Sequence, residues 1–302
     1  MARFGHSMKL SLRLARIVGV LVFGLGAWTG GKARAAGGEL SFQDAGGGGF
    51  RFDTGEVRGW LHANGKSLGL QQVVHRRTGI RLDDSQGLLS HYRVFTRGKR
   101  YGAGAWDWPS KAERTADGAV KVSWPAAAGR PFEISAMYRW VDPWTVEMVT
   151  AVRALEELPA FETFVASYFS GAFTNAGLGT VPGPGVGNEA SAWLEAGREQ
   201  GEWQVFPRDE KALEVVRDGR WRLEPNPVEW VARRAFGSRA MATRRDPVSG
   251  LEAVFTADPE GCFAILMPHQ TEGHRSLYFS LFGADVPRGG QRESRIRLRF
   301  GR

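Results

Sequence analysis

Phe132-Glu133-Ile134-Ser135-Ala136-Met137-Tyr138-Arg139-Trp140, a turn at Asp142-Pro143, then Thr145-Val146-Glu147-Met148-Val149-Thr150-Ala151-Val152 is the stretch that decides the fold. Large residues alternate on both sides of the turn, and a period of two belongs to a strand with one face in a core. Two such runs about a Pro-containing turn predict an antiparallel hairpin.

Working outward, strand patterning recurs at Val57 to His62, Leu68 to His75, Ser90 to Thr96, Val120 to Trp124, Thr163 to Phe169 and Gly201 to Phe206. It continues at Glu252 to Thr256, Cys262 to Met267, Ser276 to Phe282 and Ser294 to Phe300. Helical spacing is confined to Ala190 to Arg198 and Asp209 to Val216, too little to organise a helical layer. Ten or more strands without crossover helices predict an all-β class, a large antiparallel β-sandwich or a barrel. The chain has 302 residues, and neither a repeat nor a linker divides it, so residues 36–302 read as one domain. The Pro/Gly-rich segment Gly177 to Gly187 reads as a long loop suited to a lid. Its Gly183-x-Gly185-x-Gly187 is no phosphate cradle, because no helix N-terminus follows it.

The start of the chain reads as a signal peptide over residues 1–35. Arg3, Lys9, Arg13 and Arg16 form a cationic region, Ile17 to Leu25 an apolar region too short to span a bilayer, and Ala33-Arg34-Ala35 a small-x-small cleavage pattern. The expectation is export to a periplasmic or extracellular location, with a mature chain starting near Ala36 and no transmembrane segment in it. The alternative is an uncleaved anchor. The formal charge of +8 suggests nucleic acid, yet residues 1–35 hold six of the 40 Lys and Arg and none of the 32 Asp and Glu. Beyond them 34 cations face 32 anions, which is no basic footprint, and no nucleic-acid partner is expected. The one cysteine, Cys262, cannot form an internal disulfide, and its apolar run Gly261 to Leu266 makes it a buried small hydrophobe.

His274 to Gly290, leading to a last strand Arg295-Ile296-Arg297-Leu298-Arg299-Phe300, resembles the closing strands of the galactose-mutarotase-like supersandwich. Gly59 to Gly79, with Asn64-Gly65 as a turn, resembles that superfamily's opening strands. The resemblance implies a supersandwich and carbohydrate as the ligand, but it supplies no reaction. Aldose epimerases of that group use a histidine acid and a glutamate base on a closing strand. No Glu lies between Glu272 and Glu293, and the one acid there, Asp285, sits at the turn, so mutarotase chemistry is not expected.

Sugars are recognised by aromatic faces together with hydrogen-bonding side chains around the ring. Trp106-Asp107-Trp108-Pro109 packs two indoles and a carboxylate into a glycine-flexed turn, with Trp106 and Trp108 sharing a face if the segment is a strand. His91-Tyr92-Arg93 alternates so that His91 and Arg93 share a strand face, a pair suited to a carboxylate-bearing or hydroxyl-rich ligand. The candidate assignment is His91 as acid and Asp107 as base, with Arg93, Trp106 and Trp108 binding substrate and Arg220 an outer contributor. The competing reading places the indoles in the core and the His-Arg pair in a surface ion pair with Asp83 or Asp84. Asp218-Gly219 reads as a hairpin turn entering a strand. His269 and His274 match no metal-ligand pattern and read as a solvated loop; no metal or cofactor is expected. GxSxG, Walker and CxxC motifs are absent. The favoured function is an exported carbohydrate-binding or carbohydrate-processing protein, the alternative a non-catalytic structural or interaction protein of the cell envelope.

Overall fold

The computed structural model describes residues 39–63, 65–180 and 192–301. The leader with its cleavage site, Asn64 of the expected turn and residues 181–187 of the expected lid lie outside the described residues. In chain order the strands are β1 (Glu39–Asp44), β2 (Gly49–Asp53), β3 (Val57–His62), β4 (Leu70–His75), β5 (Ser90–Thr96), β6 (Lys99–Arg100) and β7 (Lys111–Arg114). They continue as β8 (Val120–Trp124), β9 (Phe132–Asp142), β10 (Thr145–Ala154), β11 (Leu158–Tyr168), β12 (Asn175–Thr180), β13 (Ala192–Glu195) and β14 (Trp203–Pro207). After a short helix α1 (Glu210–Val216) come β15 (Val231–Ala232), β16 (Ala240–Arg245), β17 (Glu252–Ala257), β18 (Cys262–Pro268), β19 (Ser276–Val286) and β20 (Gln291–Gly301).

The deciding hairpin is β9 paired antiparallel with β10, from Thr145 opposite Asp142 to Ala154 opposite Phe132. It sits inside a nine-stranded sheet of order β13-β12-β16-β17-β20-β10-β9-β8-β7. A seven-stranded sheet of order β15-β14-β18-β19-β11-β5-β6 and a four-stranded sheet β1-β2-β3-β4 accompany it. The alternation explains the packing. Phe132, Ile134, Ala136 and Tyr138 of β9 with Val146, Met148 and Val152 of β10 join Phe161 and Val165 of β11 and Leu277, Phe279 and Leu281 of β19 in one core cluster. Each Val, Leu, Ile, Phe or Met among them contributes about 1.5–3 kcal/mol on burial. The protein is therefore an all-β sandwich whose main core lies between the nine- and seven-stranded sheets. The buried Tyr138 hydroxyl donates to the Leu89 carbonyl at 2.8 Å, which satisfies its polar end, and burial raises its pKa.

The outer face of the seven-stranded sheet carries a second cluster. Phe95, Phe164, Ala166, Val205, Leu266 and Tyr278 pack with Ala212, Val215 and Val216 of α1 and with Trp221 and Trp230. Helix α1 starts where Asp209 predicts it: the Asp209 carboxylate accepts from the Ala212 N–H at 2.8 Å, a cap worth about 1 kcal/mol. No helix among the described residues is long and apolar enough to cross a membrane.

Three local expectations change. Ala190 to Arg198, expected helical, contains strand β13, because so short a segment gains more from pairing with β12 than from one helical turn. Gly177 to Thr180, expected as loop, is the end of β12; a Cβ at Gly177 would lie 2.3 Å from the Trp193 ring, so that glycine serves close packing. Asp218-Gly219 leads into a 3-10 turn over Arg220–Arg222 rather than a strand, with Gly219 left-handed at φ 89°.

Candidate functional site

The site begins with an extra residue in β5. Val94 pairs with Thr163 and His91 with Val165, so Tyr92 and Arg93 together oppose Phe164 of β11. This β-bulge breaks the period of two and sends side chains to faces that alternation alone does not give. His91 and Val94 turn into the core between the sheets, while Tyr92, Arg93 and Phe95 face outward. The expected sharing of a face by His91 and Arg93 is thereby lost.

His91 is fully buried. Its Nδ1 is hydrogen-bonded to the Thr163 hydroxyl and its Nε2 to the Thr150 hydroxyl, each at 3.2 Å, and its ring meets Trp124 edge-on at 5.1 Å. Burial holds its pKa down to about 3, so the ring is a neutral bridge between β11 and β10. It has no route to a ligand and is not positioned as an acid.

Trp106, Asp107 and Trp108 also separate. The segment Ala105–Asp107 is a 3-10 turn, in which residues two apart point to different sides. Trp106 stacks on Tyr92 at 4.1 Å and 8°, on the outer side. Trp108 packs with the main core beside Phe132 at 6.2 Å, with the Arg130 guanidinium 4.0 Å over its ring. Asp107 lies on the surface, accepting from the Trp106 indole at 3.0 Å and paired with Lys66 at 2.9 Å. His91 is enclosed in the core and Asp107 is paired with Lys66 on the surface, so the His91–Asp107 pairing does not form. Arg220, expected as an outer contributor, is fully buried and saturated: it donates to the Ala160 carbonyl at 2.6 Å, to Glu162 at 3.1 Å and to Asp218 at 2.6 Å. It latches the Asp218 to Trp221 segment onto the sheet.

The outer face does bring aromatic groups together. Ring contacts run Tyr168–His274 (6.4 Å), His274–Trp203 (5.4 Å), Trp203–Trp230 (5.4 Å), Trp230–Tyr278 (6.0 Å) and Tyr278–Tyr168 (5.9 Å), closing a circuit of five side chains. Trp106 continues it from Tyr168 at 6.4 Å to Tyr92. Tyr168 and Tyr278 are outward residues of the paired strands β11 and β19, and Trp203 opens β14 on the far side of β18, so three strands of one sheet contribute to the platform. The Tyr278 hydroxyl donates to that of Tyr168 at 3.1 Å; burial raises the pKa of both, which keeps them protonated as donors. A cavity of about 380 Å³ adjoins Trp221 and Trp230, with Val216, Val228, Arg217 and Glu229 among its walls, within the roughly 300–1,000 Å³ of ligand pockets.

At the rim, His274 Nδ1 is hydrogen-bonded to Glu272 at 2.8 Å. Glu272, whose pKa is lowered by its hydrogen bonds from His274 against the opposing effect of burial, stays ionised. Arg275, at φ 48°, donates to the carbonyls of Gln270 (2.9 Å) and Glu272 and fixes the loop that presents His274. His269, expected in solvent, is buried and hydrogen-bonded to Thr271 at 2.9 Å. No cluster of three metal-ligating side chains occurs among the described residues.

Three buried donor atoms of two residues face this cluster without acceptors among the described residues: the Trp230 indole N–H, and Nε and Nη1 of Arg93. The Arg93 guanidinium lies 5.0 Å over the Tyr92 ring. On the closing strand β19, Asp285 accepts from the Ala160 N–H at 2.7 Å and so holds the backbone. The buried carboxylate of this face comes from β11 instead: Glu162 accepts from Arg220, Ser280 and the Trp221 indole, the last at 2.9 Å. Burial raises its pKa, and those three donors work against the rise. Cys262 is buried, its thiol pushed up to about 12, and is no nucleophile. A larger cavity of about 460 Å³ lies on the outer face of the nine-stranded sheet, walled by Lys111, Lys121, Glu133, Arg153 and Glu293 with Trp124 at its edge. Its Arg153 and Glu133 already pair at 3.4 Å, and no predicted site residue reaches it.

No family model and no curated protein matches the chain. Among solved structures, one from Escherichia coli K12, provisionally assigned as an aldose 1-epimerase, aligns with TM-score 0.46 and 12% identity over 83% of this chain and 98% of that one. The α-galactosidase of Lactobacillus brevis aligns with TM-score 0.47 and 8% identity over 84% of this chain and 39% of its own. A GH36 α-galactosidase of Geobacillus stearothermophilus gives TM-score 0.45 and 8% identity over 84% and 40%. The chain spans about two fifths of each galactosidase. The likeness to the galactose-mutarotase-like fold is diffuse.

Proposed function

We propose that this chain is an exported saccharide-binding protein whose sugar lies on the outer face of the seven-stranded sheet. The observation that carries the reading is the closed circuit Tyr168–His274–Trp203–Trp230–Tyr278, half-buried at Tyr168, Trp203 and Trp230 and exposed at His274. Aromatic faces pack on sugar C–H surfaces, and the tyrosine hydroxyls and the Trp230 N–H supply donors at the edge. The cationic and apolar leader supports export, testable by N-terminal sequencing of secreted material, which should begin near Ala36. A saccharide panel titrated by calorimetry tests binding: Trp203→Ala should weaken the best ligand by roughly tenfold or more, and equal affinity for wild type and variant would remove this face from consideration.

A second reading, catalysis on the bound sugar, is favoured by the hydrogen-bonded pair Glu272–His274 at the rim. A loss of turnover in His274→Gln much larger than its loss of affinity would support it. Free glucose and galactose should mutarotate at the buffer rate, because the buried carboxylate of this face, Glu162, is occupied by three donors and Glu272 at the rim is engaged by His274. General acid–base assistance is worth about 10²–10⁴-fold, so any catalysis would be plain in polarimetry.

A further inference from the structure

We propose that the saccharide carries a carboxylate and that Arg93 is the residue that recognises it. The inference rests on the saccharide reading above and adds the ligand's charge. Only 5% of Arg93 is exposed, yet its Nε and Nη1 have no acceptor among the described residues and it forms no ion pair with any of them. A buried guanidinium without a counter-charge is an expensive arrangement, and the other fully buried arginines of this protein each direct donors to named acceptors, although Arg244, like Arg93, has no ion pair and leaves its Nε open. Arg220 is held by two carboxylates. Arg244 donates to the carbonyls of Ser276 and Thr174.

A second guanidinium lies nearby. Arg100 lies close enough for the charge of Arg93 to act on it, and its own donors go to the carbonyls of Gly102, Ala103, Leu223 and Pro225. No carboxylate is among those acceptors, but the Tyr92 side chain and the Glu224 carboxylate both act on the Arg100 charge, so Arg100 has partners of its own. Phenols also lie about Arg93: Tyr92 beneath the guanidinium, with Tyr168 and Tyr278 within its field. The β5 bulge is what turns Arg93 to this side rather than into the core. One guanidinium with open donors balances one negative charge, which matches a uronate better than a dianionic phosphate ester, and a charge-assisted hydrogen bond there is strong.

The test masks the charge and leaves the sugar intact. Oligomers of galacturonate, glucuronate and mannuronate are titrated against wild-type protein as free acids and as methyl esters, alongside neutral oligosaccharides and a sugar phosphate, and the series is repeated with Arg93→Gln. At least one acid should bind roughly tenfold or more tighter than its ester, and Arg93→Gln should erase that difference while keeping the ester's affinity. Acid and ester binding equally to wild type would overturn the carboxylate assignment and leave the saccharide reading standing. So would a persistent acid preference in Arg93→Gln, or a sugar phosphate that outbinds every uronate. Absence of binding by all saccharides would overturn both. Should Arg93→Gln fail to fold, the wild-type acid-against-ester comparison decides alone.

Discussion

Two residues apart in β5, His91 and Arg93 experience opposite environments. His91 faces the core between the sheets, where two threonine hydroxyls satisfy both ring nitrogens and the imidazole stays neutral. Arg93 faces the outer side, where aromatic rings surround a guanidinium with two unsatisfied donors. The inner face is a finished polar contact inside an apolar core, and the outer face is an unfinished one. A single inserted residue opposite Phe164 makes the difference. The comparison teaches that chemically suggestive residues in a strand are separated by satisfaction of their polar atoms: a core residue is complete within the chain, and a binding residue is completed by its ligand.

The strongest way to break the comparison is to remove the cover of the outer face. Arg220→Ala leaves Glu162 buried without its cation, and breaking such a pair costs about 3–5 kcal/mol; a denaturant titration should show it. Loss of under about 1 kcal/mol would mean the Asp218 to Trp221 segment is not held by this latch. The inner face is sharpened by pH. Because the His91 pKa is about 3 when folded and near 6.5 when unfolded, the unfolded state alone takes up this proton between those values. Stability from His91 is complete above about pH 6.5 and falls as pH drops toward 3, by up to about 1.4 kcal/mol per pH unit. A His91→Gln variant should lose that slope in denaturation curves at pH 4 to 6.5; an unchanged slope would assign it to other groups. The smallest effect is expected at Asp107, where an exposed pair with Lys66 is worth about 0–1 kcal/mol. Asp107→Asn should leave stability and saccharide affinity nearly unchanged, and a large loss of affinity would restore it to the site.

Much of the fold was legible because burial on one face writes a period of two into β8, β9, β10 and β20. Strand β13 was not, since Trp193-Leu194 in four residues carries too short a pattern to tell strand from helix. The site was legible in part. Arg93 and Trp106 do reach the outer face, whereas His91, Trp108 and Arg220 are used by the fold and Asp107 by a surface ion pair. The bulge leaves no mark in the composition of Ser90 to Thr96, and its consequence is to reverse the face of every residue beyond it. Tyr168, Trp203, Trp230, His274 and Tyr278 come from segments that only sheet order brings together. The available signal was that Tyr168 and Tyr278 fall on the outward phase of strands whose other phase is core.

The central claim, that the outer face of the seven-stranded sheet is the ligand face, is tested most directly by the indole N–H resonances of ¹⁵N-labelled protein during titration with the tightest saccharide. The expected result is movement of the Trp203, Trp230 and Trp106 signals with one binding constant, while the core indoles of Trp124 and Trp140 stay fixed. Movement confined to Trp60 or Trp193, with Trp203 and Trp230 unmoved, would contradict it.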